Sequence, residues 1–251
     1  MLLRRITKHV KEQNWLAVGI DFIIVVIGVF IGIQVSNWND VRVEKQTERQ
    51  LVDRVQQEFS LLESQLVVLV RRLNGIKSGT GCLIGEIRKE EPMLPHEEMS
   101  ECIWGASALS VLPDAPAVVT EMVSSGRLSQ LSNKELRKQI ILYRDNHQRY
   151  ERYMPQALAS MYPPNSQFFD AVHWNTDTET WTFQTASDAV LSYDFQKLQQ
   201  AEGELQIKQL VQHDVSDFGM RQLELSREIL ALIGASETKR ENEVETGITQ
   251  P

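Results

Sequence analysis

A chain of 251 residues has room for one large domain or two small ones, and a hydrophobic content of 42% is that of an ordinary globular protein. The formal net charge of −8 is unevenly spread: Arg4, Arg5, Lys8 and Lys11 oppose only Glu12 in the first fifteen residues, a net of +3, which leaves −11 for the rest. So acidic a remainder repels phosphate backbones and argues against nucleic acid as a partner, while the negative mean hydropathy of −0.28 argues against a polytopic membrane protein.

Residues 1–15 read as a basic tail. Leu2, Leu3, Ile6 and Val10 lie between its charges, a pattern that suits a short helix resting on a membrane surface. Residues 16–36 follow as a transmembrane helix. From Leu16 to Val35 the only ionisable residue is Asp21, and about 20 residues at about 1.5 Å each span roughly 30 Å, the thickness of a hydrocarbon core. Ile, Val, Leu and Phe side chains over this run contribute around −4 to −8 kcal/mol to insertion, against about 2.5–3.5 kcal/mol for a central aspartate. Trp15 and Trp38 bracket the segment as interfacial aromatics do. The excess of basic residues before the helix predicts a cytoplasmic N-terminus and a main domain on the other face. No small-residue cleavage site follows the apolar run, so an uncleaved anchor is expected.

At about 100° per residue, Asp21, Gly28, Gly32 and Ser36 share one stripe of the spanning helix. Gly28 and Gly32 form a G-x-x-x-G pair, and small residues let a second helix approach closely. The stripe therefore reads either as a contact face, for a second copy or another membrane protein, or as ordinary membrane glycines beside an aspartate that snorkels to the interface.

The fold class beyond the membrane is mainly α: a long coiled-coil-like helix followed by an antiparallel helical bundle over residues 40–235. Residues 40–77 are predicted as one helix, with Val52, Val55, Phe59, Leu62, Leu66, Leu69, Leu73 and Ile76 in a heptad seam. Such a seam must be covered, by another chain or by later helices of the same one. Gly75, Gly79, Gly81 and Gly85 then weaken the helix or admit a close neighbour. A second helix is predicted from Pro95, with Glu97 and Glu98 favourable in its first turn. Cys82 and Cys102 lie symmetrically about residue 92, so a helical hairpin would bring them opposite each other. In an oxidising compartment a bridge closing that loop would add roughly 3 kcal/mol. The alternative is two buried thiols behaving as small apolar residues.

Further along, a helix is predicted from about Pro116 to Ser125, with Gly126 suited to a left-handed cap; Ser124, Ser125 and Gly126 form that end. Ser132 and Glu135 have capping-box spacing before a helix whose Leu136, Ile140 and Tyr143 line one face. Pro155 should end or kink it, and Pro163–Pro164 should break the chain firmly. Residues 165–186 read as a loop or a small hairpin, followed by helices at about 187–200 and 204–233. From residue 236 to 251 the composition is polar and predicts a disordered tail.

The run from Gly19 to Arg42 resembles the start of a bacterial family of single-pass membrane proteins carrying a domain of unknown function. In that family the anchor ends in L-Q-x-x-N-W-N-x-x-R, and Gln34, Asn37, Trp38, Asn39 and Arg42 match, with Ile33 where leucine is usual. A second block, S-S-G-x-L followed by L-R-x-x-I, is matched by Ser124, Ser125, Gly126, Leu128, Leu136, Arg137 and Ile140. The resemblance implies an anchored helical domain outside the bacterial cytoplasmic membrane, and it implies no activity.

No zinc-protease, C-x-x-C, nucleophile-elbow or phosphate-loop pattern occurs, so neither catalysis nor a cofactor is expected. The five histidines, His9, His96, His147, His173 and His213, lack ligand spacing. His147 reads as part of a surface charge set with Arg144, Asp145 and Arg149, and His173 as the small-molecule candidate of the aromatic loop. Two functions compete on this reading. One is a membrane-anchored scaffold or interaction protein that associates with itself. The other is an envelope sensor or ligand-binding module that signals laterally through a membrane partner, since so short a cytoplasmic tail holds no output domain.

Overall fold

The computed structural model describes the backbone of residues 15–176 and 186–247, and the side chains of 22–176 and 188–236. The protein is mainly α-helical. Helix α1 (Trp15–Ile87) is continuous, and its residues belong to two compact units, 1–51 and 52–251. In the first unit, Phe22, Ile23, Ile24, Val25, Phe30 and Ile33 are all exposed. The apolar window reaches a mean hydropathy of 1.8 with none of it buried, which makes this stretch a candidate membrane span.

The second unit is a helical bundle with one small sheet. After α1 come α2 (His96–Ser107), α3 (Ala117–Ser124), a 3-10 turn (Arg127–Gln130) and α4 (Lys134–Met161). A short helix, α5 (Gln167–Asp170), precedes strand β1 (Val172–Trp174); α6 (Ala186–Ala189) leads into β2 (Val190–Tyr193). Helices α7 (Phe195–Gln200) and α8 (Glu202–Gly247) complete the chain. Helices α4 and α8 pack against each other.

The seam of α1 is covered from within the bundle. Val55, Phe59, Leu62, Leu66 and Leu73 are buried, and Phe59 meets the Tyr143 ring edge-on at 5.1 Å. Leu69 and Ile76 are half-buried. Later helices of the same chain therefore cover most of the heptad seam, and Leu69 and Ile76 stay partly exposed. Two turns further on, α1 touches α2 at backbone distance: a Cβ added to Gly105 would sit 2.7 Å from the Gly79 Cα. One turn away, Cys82 and Cys102 are joined by a disulfide with Cα atoms 5.6 Å apart. The two pairs share one antiparallel register, and the small residues permit the approach that the bridge requires.

The hairpin between α1 and α2 is closed by a buried carboxylate. Glu86 accepts from the Lys89 Nζ at 2.5 Å, from the Met93 amide, and from the Leu94 amide at 2.9 Å. Lys89 first, then these amides, hold the Glu86 carboxyl below its usual range, against the opposing effect of burial. A carboxyl whose folded pKa is depressed stabilises the fold above the unfolded value and loses that contribution as pH falls through the folded one. Glu86→Ala should accordingly cost about 1.5–3 kcal/mol at pH 7. The cost should shrink as pH drops below 4.5, which denaturant titrations across that range would show.

Four local expectations are revised. Residues 187–200 do not form one helix, because Asp194 accepts from the Lys197 amide at 3.1 Å and so caps a new helix in the middle of that stretch. The preceding Val190–Tyr193 pairs antiparallel with β1, and its valine and tyrosine ends suit a pleated strand. The hairpin thus extends beyond 165–186, and 177–185 lie outside the described residues. Pro155 sits inside α4 without ending it; the helix stops at Met161, before Pro163. The cap of α4 is Asn133, whose side chain accepts from Glu135 and Leu136 amides at 3.0 and 3.1 Å. Asparagine ranks as high as serine for this role, and Glu135 instead accepts from Lys138 and Gln139. Helix α8 is assigned as far as Gly247, and residues 248–251 of the expected tail lie outside the described residues.

Candidate functional site

The face of α8 that points into the bundle is unusually polar. Lys208, Gln212, Ser216, Gln222 and Ser226 are all fully buried, interleaved with Leu205, Val215, Leu225 and Ile229. Buried polar groups need partners, and most of these join α8 to another element. Gln212 donates to the carbonyls of Gly105 (3.0 Å) and Ala108 (2.9 Å) at the α2 C-terminus, and accepts from Thr80 at 2.6 Å. The Lys208 ammonium donates to the Met161 carbonyl at the end of α4 and lies 3.4 Å from Glu204. Three rings surround it, Phe169, Phe168 and Tyr162, at 4.6, 5.2 and 5.6 Å from their centroids. Glu204 in turn accepts from Ser166 and, at 3.2 Å, from the Phe168 amide, fixing the start of α5.

His147 is buried in this polar interior, and the surface charge within reach of its Nε2 is Glu151 at 3.5 Å, not Arg144, Asp145 or Arg149. It is 5% exposed, its Nδ1 lies 2.9 Å from Gln222 Nε2, and its ring stacks beside Tyr143. The α4 face that carries Tyr143, Asn146 and Tyr150 is turned inward, and His147 falls on it; Arg144 and Asp145 pair with each other at 2.7 Å. The remaining described histidines are scattered: His96 stacks on Tyr193, His173 lies 3.2 Å from the Ser192 hydroxyl, and His213 lies 3.4 Å from Asp217. Among the described residues no group of three metal-ligating side chains comes together.

The other singled-out residues have local roles. Ser124 and Ser125 donate to the Glu121 carbonyl at 3.2 and 2.6 Å, and Gly126 takes the left-handed conformation with φ 71°. This turn is tied to α1 by Glu121, which pairs with Arg54 at 2.8 Å and Arg127 at 2.9 Å. Among the described residues a Cβ added to Gly28 or Gly32 would meet no other element within 4 Å. Ser36 is exposed, and the side chain of Asp21 lies outside the described residues.

What the bundle presents outward is an apolar groove on α1. Ser64, Gln65, Val68, Leu69 and Arg72 form one wall and Val111–Pro113 the other, around a volume of about 670 Å³. Val68 and Val111 are 61% and 60% exposed, and Leu61, seven residues before Val68, is 62% exposed. The 108–116 segment is held in place by the Leu112 amide, which donates to the Tyr150 hydroxyl at 2.8 Å. Leu61 and Val68 are heptad-spaced but stand outside the buried seam, so a search for one apolar stripe passes over them.

The class that fold and surface define is a helical-bundle domain preceded by a candidate membrane span. The chain matches no family model, and searches of curated proteins and of solved structures return no match.

Proposed function

We propose that this chain is a membrane-anchored, non-enzymatic interaction protein of the bacterial envelope, which associates with a second copy through the exposed apolar face of α1. The observation that carries the reading is the groove at Val68 and Val111 with Leu61 beside it. Exposed apolar surface of this kind marks interaction sites on stable domains. A second copy suits it for two reasons. Copies anchored by the same span share one plane and one orientation, which raises their effective concentration. A symmetric contact also pairs residues of one patch with each other, and Leu61, Ser64, Gln65 and Val68 are uncharged, with Arg72 as the one charged residue of that wall. The basic residues before the span support a cytoplasmic N-terminus, with the bundle on the outer face of the cytoplasmic membrane.

Leu61→Glu with Val68→Glu changes exposed positions only, so the fold should hold. In native membranes the full-length protein should give a chemically cross-linked dimer, and the double variant should reduce its yield at least about fivefold. Equal yields, or no dimer from the unaltered chain, would overturn the reading. Gly28→Ile with Gly32→Ile tests the span separately, because a Cβ added at either position meets no other described element within 4 Å.

A further inference from the structure

Between α4 and α8 lies a second cleft, of about 400 Å³, lined by Asn146, Tyr153, Asp214, Asp217 and Phe218. Its aromatic side is rigidly built. The Phe218 ring sits 5.8 Å from Tyr150 in an edge contact and 5.7 Å from Tyr153. The Asn146 amide donates to the Phe218 carbonyl at 3.4 Å. Its acidic side is under-used. Asp214 accepts from the Tyr153 hydroxyl at 2.9 Å, which occupies one of the several acceptor positions of a carboxylate. Among the described residues Asp214 makes no ion pair, and Asp217 faces only the His213 ring at 3.4 Å. The arginines one turn away point elsewhere, Arg149 to the Asp145 carbonyl and Arg221 to Glu224. Among the described residues no lysine or arginine lines the cleft.

Two carboxylates and two fixed aromatic rings that line one cleft make a receptor for positive charge. The carboxylates attract a cation directly, and the rings attract its alkyl groups through their quadrupole and apolar area. The volume suits a small organic molecule, and the Tyr153 hydroxyl orients the carboxylate that faces it. We propose that this cleft binds an organic ammonium ion, with its charge against Asp214 and Asp217 and its alkyl groups on Phe218 and Tyr153. The site uses none of the residues of the α1 groove, so the two proposals stand or fall separately.

Isothermal titration of the full chain in detergent tests it, with choline as a quaternary ammonium, butylamine as a primary one, and uncharged 3,3-dimethylbutanol as the control. At least one cation should bind saturably and the alcohol should not. Asp214→Asn retains an acceptor for the Tyr153 hydroxyl, so its thermal midpoint should be unchanged while binding weakens about tenfold or more. Asp217→Asn, at an exposed position, should weaken binding independently, and Phe218→Leu by about fivefold. The proposal is overturned if neither cation binds below about 10 mM, if the alcohol binds as well as choline, or if Asp214→Asn binds like the unaltered chain.

Discussion

Lys208→Met should destabilise the bundle by about 3–5 kcal/mol, the cost of removing one partner from a buried charged pair. Methionine has nearly the volume of the lysine stem, so the change leaves no large cavity. What it removes is the ammonium that neutralises Glu204 and closes the α4 C-terminus at Met161. The Met161 carbonyl then loses this donor, and Glu204 keeps only its contacts with Ser166 and the Phe168 amide. Burial pulls the Lys208 pKa below the ordinary lysine value, against the opposing attraction of Glu204. The unfolded chain therefore binds more protons between the folded pKa and 10.5, and stability gains from Lys208 as pH rises through that window. Denaturant titrations at rising pH should show the gap between the unaltered chain and Lys208→Met widening. A gap that does not change with pH would contradict a lowered Lys208 pKa.

Replacing both Cys82 and Cys102 by serine should cost about 3 kcal/mol, the value for a closed loop of about 20 residues. The loss should concentrate at one end of the bundle, where Leu83, Ile84, Ile87, Met99, Ile103 and Phe168 form a common core. Glu86 and the Gly79–Gly105 contact hold the same hairpin, so the variant should fold and lose stability without losing helix content. Reducing agent should lower the unfolding midpoint of the unaltered chain to that of the double serine variant and leave the variant itself unmoved. Equal midpoints with and without reductant would contradict this.

The parts of the fold legible in the sequence were those written in apolar spacing. The α1 seam, the Gly126 turn and the Cys82–Cys102 symmetry each depend on a few nearby residues of distinctive chemistry. The inner face of α8 is different, because Lys208, Gln212 and Gln222 look like solvent-facing residues until Thr80, Met161 and His147 supply their partners from distant parts of the chain. Strand β2 was hidden for a related reason. Val190–Tyr193 sits among helix-forming neighbours, and only its pairing with β1 decides its state. The ammonium cleft assembles Tyr153 of α4 with Asp214 and Phe218 of α8, residues whose proximity no local pattern announces.

The proposal that the bundle faces outward from a membrane-spanning helix is tested most directly by protease added to intact spheroplasts. The account predicts that the bundle is digested from outside while a fragment containing Trp15 to Trp38 stays with the membrane. Protection of the bundle until the spheroplasts are lysed would contradict it.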